Sequence, residues 1–167
     1  NKGEFDGLIG PNGAGKTTAI KSILQMIRYD AGEISILGHS GEDRQLCREQ
    51  IGIVMDATFY SKDWTAGDIE LALRPFYAEW DRDRYNQMLG KYGIDRNKKI
   101  RELSRGTNVK VMMAVALSHN ARLLILDEPT SGLDPVARDE LMDLLREFIA
   151  DGQRSVLFST HVTTDRE

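Results

Sequence analysis

At 167 residues, with 41% hydrophobic content, the chain can bury one sizeable core and is too apolar for a disordered segment. A formal net charge of −4 with the signs interspersed leaves no basic footprint for nucleic acid, and the longest apolar run, Val111 to Leu117, is far short of the roughly 20 residues a bilayer-spanning helix needs. Cys47 is the one cysteine, which excludes an internal disulfide; with no secretory signal or lipidation motif in view, it is read as an inert thiol in a reducing, cytosolic setting.

Phe5 to Ile9 reads as a short strand, and it runs straight into Gly10-Pro11-Asn12-Gly13-Ala14-Gly15-Lys16-Thr17-Thr18. That run fits the phosphate-loop pattern G-x-x-x-x-G-K-[ST]. Its glycines let the backbone curl so that the N–H groups of Asn12, Gly13, Ala14, Gly15 and Lys16 point inward at phosphate oxygens. Lys16 reaches the β- and γ-phosphates, Thr17 offers a hydroxyl to Mg²⁺, and Thr18 meets the α-phosphate. Ile20, Ile23, Leu24 and Ile27 recur with helical spacing, so the loop lies between a strand and a helix whose positive end faces the anion.

Glu33 to Leu37 alternates as a second strand, closed by turn residues at 38–41, and Ile51 to Met55 forms a third. Thr65-Ala66-Gly67-Asp68 has capping-box spacing and opens a helix with Ile69, Leu73 and Phe76 on one side. Tyr85, Met88, Leu89 and Tyr92 continue at helical spacing until Gly93, as ordinary core. Leu103-Ser104-Arg105-Gly106-Thr107 leads into a further helix with Val111, Val115 and Leu117 on its apolar face.

Leu123-Leu124-Ile125-Leu126 followed by Asp127-Glu128 has the pattern of a strand buried on both faces that delivers two carboxylates at its C-terminal end. Asp127 suits Mg²⁺, directly or through water, and Glu128 is placed to polarise a water for attack on a γ-phosphate. Asp134-Pro135 caps the next helix, whose core face carries Leu141, Leu144, Leu145 and Phe148 and which ends before Gly152. Ser155 to Ser159 is a last strand, closing with Thr160 and His161.

From about residue 3 to its end the chain resembles the nucleotide-binding domain of ABC transporters. Leu103 to Thr107 stands where that family has its LSGGQ signature, Ser131-Gly132-Leu133-Asp134 looks like its D-loop, Glu128 matches its catalytic base and His161 its switch histidine. Two departures stand out: Arg105 and Thr107 replace the motif's Gly and Gln, and Asp56 occupies the place of the Q-loop glutamine. Within the family the finer likeness, through Phe76 to Asp81 and Leu103 to Gly106, is to bacterial exporters of drugs and peptide antibiotics.

The resemblance implies an α/β fold of the P-loop NTPase type, a mostly parallel sheet flanked by helices. One ATP-binding domain is expected over 1–167, with a helical insert and signature at 64–107. It implies ATP and Mg²⁺ as cofactors, the metal held by Thr17 and Asp127; Asp56, a departure from the family's glutamine, offers hard oxygens and is expected at the metal as well. It also implies a head-to-tail dimer in which Ser104 and Gly106 of one copy cover the nucleotide on Lys16 of the other, with Asp134 nearby, Glu128 orienting the attacking water and His161 holding the γ-phosphate. The partner is then a transmembrane permease, the place the cytoplasmic face of the membrane, and the task transport, with export favoured. The alternative is a soluble ABC ATPase acting on the ribosome or on DNA; the short spacing from Lys16 to Ser104, without heptads, argues against the coiled-coil chromosome type. The family's adenine-stacking aromatic lies before the phosphate loop, and further strands and helices follow its switch histidine, so a fragment incomplete at both ends, or a partly ordered copy, is expected.

Overall fold

The computed structural model describes residues 5–40, 43, 45, 49–55 and 60–160. Asp56, His161 and Cys47 lie outside the described residues. Four parallel strands form the main sheet in the order β1-β6-β5-β4, where β1 is Phe5–Ile9, β4 Ile51–Met55, β5 Leu123–Asp127 and β6 Ser155–Thr160. β5 runs down the middle. Its side chains alternate between two cores: Leu124 and Leu126 face one, Ile125 the other.

That alternation places helices on both faces. On one side α1 (Lys16–Ile23) sends Ile20 into a cluster with Ile51 and Ile125. On the other, α4 (Arg105–Ser118) and α5 (Pro135–Ile149) pack against Val54, Leu124, Leu126 and Val156. The face expected of α5, Leu141, Leu144, Leu145 and Phe148, is the one buried. Gly152, with φ +65°, follows the helix.

α4 is buried around its whole circumference from Val111 to Ser118, because a second apolar layer covers its far side. That layer consists of α2 (Ala66–Leu73) and α3 (Arg82–Lys91), whose Ala66, Ile69, Tyr85 and Leu89 meet Val111, Ala114 and Val115. α2 opens with the expected capping box: the Thr65 side chain accepts the Asp68 N–H at 3.1 Å, and the Asp68 carboxylate accepts the Thr65 N–H at 2.8 Å.

Two sequence readings need correcting. Glu33 to Leu37 yields only the two-residue strand β2 (Ser35–Ile36), which pairs antiparallel with β3 (His39–Ser40) and stays off the main sheet. The turn residues at Leu37 and Gly38 fold the segment back on itself before it can lengthen, Leu37 being held at φ +52°. Phe76 does not continue the inner face of α2. Pro75 has no N–H to donate to the Leu71 carbonyl, so the α-helical ladder stops, the chain passes through a 3₁₀ turn, Arg74–Phe76, and Phe76 is 61% exposed.

Candidate phosphate and hydrolysis site

Parallel pairing brings the C-terminal ends of β1, β5 and β6 side by side, with Ile9 opposite Thr160 and Asp127 opposite Ser159. The segment after β1 curls through Gly13 (φ +82°) and Gly15 (φ +86°), a conformation that side chains rarely adopt. Gly15 is the N-cap of α1 and makes no side-chain hydrogen bond to the helix. The first-turn N–H groups have no partner within a helix, so a helix end left without a cap presents them, with its positive dipole end, to whatever fills the loop. One expectation changes here: the Ala14 N–H does not point at the cavity but donates to the Pro11 carbonyl at 3.2 Å, closing the turn.

Lys16 lies folded over the loop. Its Nζ donates to the carbonyls of Gly10 at 2.6 Å and Pro11 at 3.0 Å, which fixes the ammonium at the mouth and uses two of its three donors. The cavity in front holds about 220 Å³ and is lined by Asn12, Gly13 and the residues from Gly15 to Thr18 and, from the opposite side, by Glu128. A triphosphate tail fits that combination of a fixed cation, an uncapped helix end and an acid across the gap.

Thr17 and Asp127, 110 positions apart in the chain, meet at the floor. The Thr17 hydroxyl donates to Asp127 Oδ2 at 2.9 Å, and the buried Ser159 hydroxyl donates to Asp127 Oδ1 at 2.6 Å. The same Ser159 Oγ accepts the Glu128 N–H at 2.9 Å. Glu128 has φ +49°, which for a residue with a Cβ costs on the order of 1–3 kcal/mol. The strain aims its side chain out of the sheet end and into the cleft. Its carbonyl accepts the Ser131 N–H at 3.1 Å, starting the turn toward α5.

The donor set fits Mg²⁺. Thr17 and Asp127 supply hard oxygens at one point, and among the described residues no group of three His, Cys, Asp or Glu could hold a metal unaided. Mg²⁺ takes few protein ligands and completes its shell with water and substrate phosphates, so a sparse oxygen pair beside a phosphate loop is the arrangement it needs.

Ser104, Gly106 and Asp134 stand apart from this cleft and do not line it. Ser104 caps α4, its Oγ accepting the Thr107 N–H at 3.1 Å and lying 2.8 Å from the Thr107 hydroxyl. Asp134 caps α5 by accepting the Ala137 N–H at 2.9 Å. Gly106 sits where these two helix starts converge: a Cβ there would lie 3.2 Å from that of Ala137. Arg105, from the same turn, lies over Gly132. The residues of 104–107 and 131–134 thus form a second surface element, exposed at Ser104 and Asp134. Sequence reading missed Ser159, whose signal is neither its type nor its spacing but its register opposite Asp127.

A family model described as ABC transporter matches residues 1–131. The ATP-binding protein YtrB of Bacillus subtilis is 33% identical over 99% of this chain and 57% of that protein. The Nod factor export ATP-binding protein I of Burkholderia thailandensis is 36% identical over 99% of this chain and 56% of that protein. The chain spans a little over half the length of these curated relatives. Among solved structures, an ATP-binding subunit of an ABC transporter superposes with TM-score 0.81 at 29% identity, over 97% of this chain and 70% of that one. An ATP-binding cassette captured as a dimer after hydrolysis, with ADP and Pi bound, superposes with TM-score 0.82 at 27% identity, over 96% and 75%.

Proposed function

The chain belongs to the ABC transporter family, in its ATP-binding part, and from that premise we propose that it binds and hydrolyses ATP to power transport through a transmembrane partner. The observation that carries the reading is the convergence of the uncapped α1 end, Lys16, the Thr17–Asp127 pair and Glu128 on one cavity.

The loop N–H groups and Lys16 bind the phosphates, and Thr17 and Asp127 hold Mg²⁺, which when bound neutralises charge between the β- and γ-phosphates. Glu128, aimed across the cleft by its backbone, orients a water in line with the γ-phosphate and takes its proton as the water oxygen bonds to the γ-phosphorus and the bond to the β–γ bridging oxygen breaks, leaving ADP and phosphate. Asp56 and His161, at the metal and the γ-phosphate, complete the site in this reading. The dimeric post-hydrolysis cassette supports a head-to-tail pair, with Gly106 and the exposed Ser104 and Asp134 closing on the partner copy's nucleotide. Residues 64–107 then act as the insert between that interface and the membrane partner.

The Nod factor export relatives favour export, and the finer choice of drugs or peptide antibiotics as cargo rests on the 76–81 and 103–106 stretches. Among the described residues no helix is long and apolar enough to cross a membrane. In this reading a transmembrane permease supplies the span, and the chain works at the membrane's cytoplasmic face.

Glu128→Gln tests the reading, since the amide has nearly the same volume and cannot accept the proton. Turnover should fall by about a hundredfold to ten-thousandfold while Mg-ATP still binds and drives a dimer on size exclusion. Wild-type turnover in this variant would place the base elsewhere.

A further inference from the structure

Ser159 is fully buried at the end of β6, and the phosphate-loop, metal and hydrolysis roles above do not call on it. We propose that it is a positioning residue that locks the metal-side carboxylate Asp127 and the hydrolytic Glu128 into one unit; the proposal rests on the ATPase reading.

The hydrogen-bond directions follow from the chemistry. Glu128 contributes a backbone N–H, which can only donate, so Ser159 Oγ accepts there at 2.9 Å. Its single proton is then committed to Asp127 Oδ1 at 2.6 Å. Asp127 Oδ2 meanwhile accepts from Thr17 at 2.9 Å. A continuous line therefore runs from the Glu128 peptide through Ser159 and Asp127 to the threonine of the phosphate loop.

Register explains why a serine on another strand does this. Asp127 and Ser159 are Cα partners in a parallel ladder, so their side chains leave the same face of the sheet. The next N–H, that of Glu128, belongs to a residue that has already left the sheet. The serine hydroxyl substitutes for the missing ladder acceptor and lets the chain turn at once into φ +49°. Without that acceptor, the strained peptide relaxes toward negative φ and swings the Glu128 carboxylate off the cleft. A displacement of about 1 Å at a reacting group is enough to lose on the order of a hundredfold in rate.

The experiment uses the intact protein carrying Ser159→Ala, Ser159→Thr or Glu128→Gln. It compares kcat, KM for Mg-ATP, and equilibrium ATP affinity with and without Mg²⁺. Ser159→Ala should lower kcat about tenfold to a hundredfold, with metal-free ATP affinity unchanged and the gain in affinity on adding Mg²⁺ reduced. Ser159→Thr keeps a hydroxyl that can donate and accept, and should return kcat to within about threefold of the parent. If Ser159→Ala keeps kcat within about twofold while Glu128→Gln is inactive, the positioning role is overturned and the ATPase reading stands. If Glu128→Gln retains full turnover, the base lies elsewhere and Ser159 has no hydrolytic residue to position, which overturns the proposal; if the parent protein turns over no ATP, the ATPase reading itself falls. Equal loss in Ser159→Ala and Ser159→Thr, with metal-free affinity falling too, assigns the residue to packing alone and overturns the proposal.

Discussion

The cleft and the α2–α3 layer treat their polar groups in opposite ways. In the layer, helix ends are closed by the protein itself: Thr65 and Asp68 box the start of α2, and Asp81 accepts the Arg84 N–H at 2.9 Å to cap α3. Even the buried Glu70 is answered from within, by Arg96 and by Arg82 at 3.2 Å. At the cleft, α1 begins on a glycine with no side-chain cap, and Glu128 is held in a strained backbone. α4 and α5, by contrast, also have side-chain caps, on Ser104 and Asp134. The structural layer closes its own helix ends, and the cleft leaves one open for the ligand.

Lys16→Ala breaks the comparison hardest on the cleft side. It removes the one cation fixed at the loop mouth, and ATP affinity measured by calorimetry should fall by on the order of a hundredfold while the melting temperature without nucleotide barely moves. Arg96→Met should do the reverse. Glu70 is 1% exposed, and losing its closer partner leaves a buried carboxylate with Arg82 alone. Stability should drop by about 2 kcal/mol in urea titration, below the full cost of breaking a buried pair because Arg82 remains, with ATP affinity unchanged. A large loss of ATP affinity in Arg96→Met would show that the two regions do not divide the work in this way.

Thr65→Ala sharpens the comparison at a single helix end. Loss of the cap should cost about 1 kcal/mol of unfolding free energy and leave turnover intact. The smallest effect concerns His119, the C-cap of α4. Its Nδ1 lies 3.2 Å from the Glu49 carbonyl, and its ring stacks on Tyr77 at 4.1 Å. Burial holds its pKa below the ordinary histidine value. The unfolded chain therefore takes up this proton more readily, so the stability tied to neutral His119 is complete above about pH 6.5 and declines as pH falls through the folded pKa. His119→Phe keeps the stack and cannot titrate, and its stability curve between pH 5 and 7 should be flatter than the parent's by chemical denaturation at each pH.

What the sequence revealed was local. β4 and the capping box of α2 were readable because adjacent residues carry the whole signal, and the aliphatic run of β5 reveals burial on both faces for the same reason. β2 was misjudged because alternation identifies a strand but not where its turn will cut it. Phe76 was misplaced by following the helical period past Pro75, which ends it. The Glu70 cluster was unreadable: its arginines come from 12 and 26 positions downstream, and nothing near Glu70 marks it as buried. Ser159 is the sharpest case, an ordinary strand serine until the ladder sets it opposite Asp127.

The strand order has a consequence for how the site comes into being. Among the described residues, β1, the strand that carries the phosphate loop, pairs with β6 alone, and β6 lies more than a hundred positions downstream of it. A ribosome adding about 5–20 residues per second makes the loop on the order of ten seconds before it makes the strand that anchors it. Through that interval the nascent chain carries a complete nucleotide motif with no sheet behind it. Affinity for ATP is therefore acquired late and all at once, when β6 pairs with β1, and nucleotide binding reports that synthesis has reached β6.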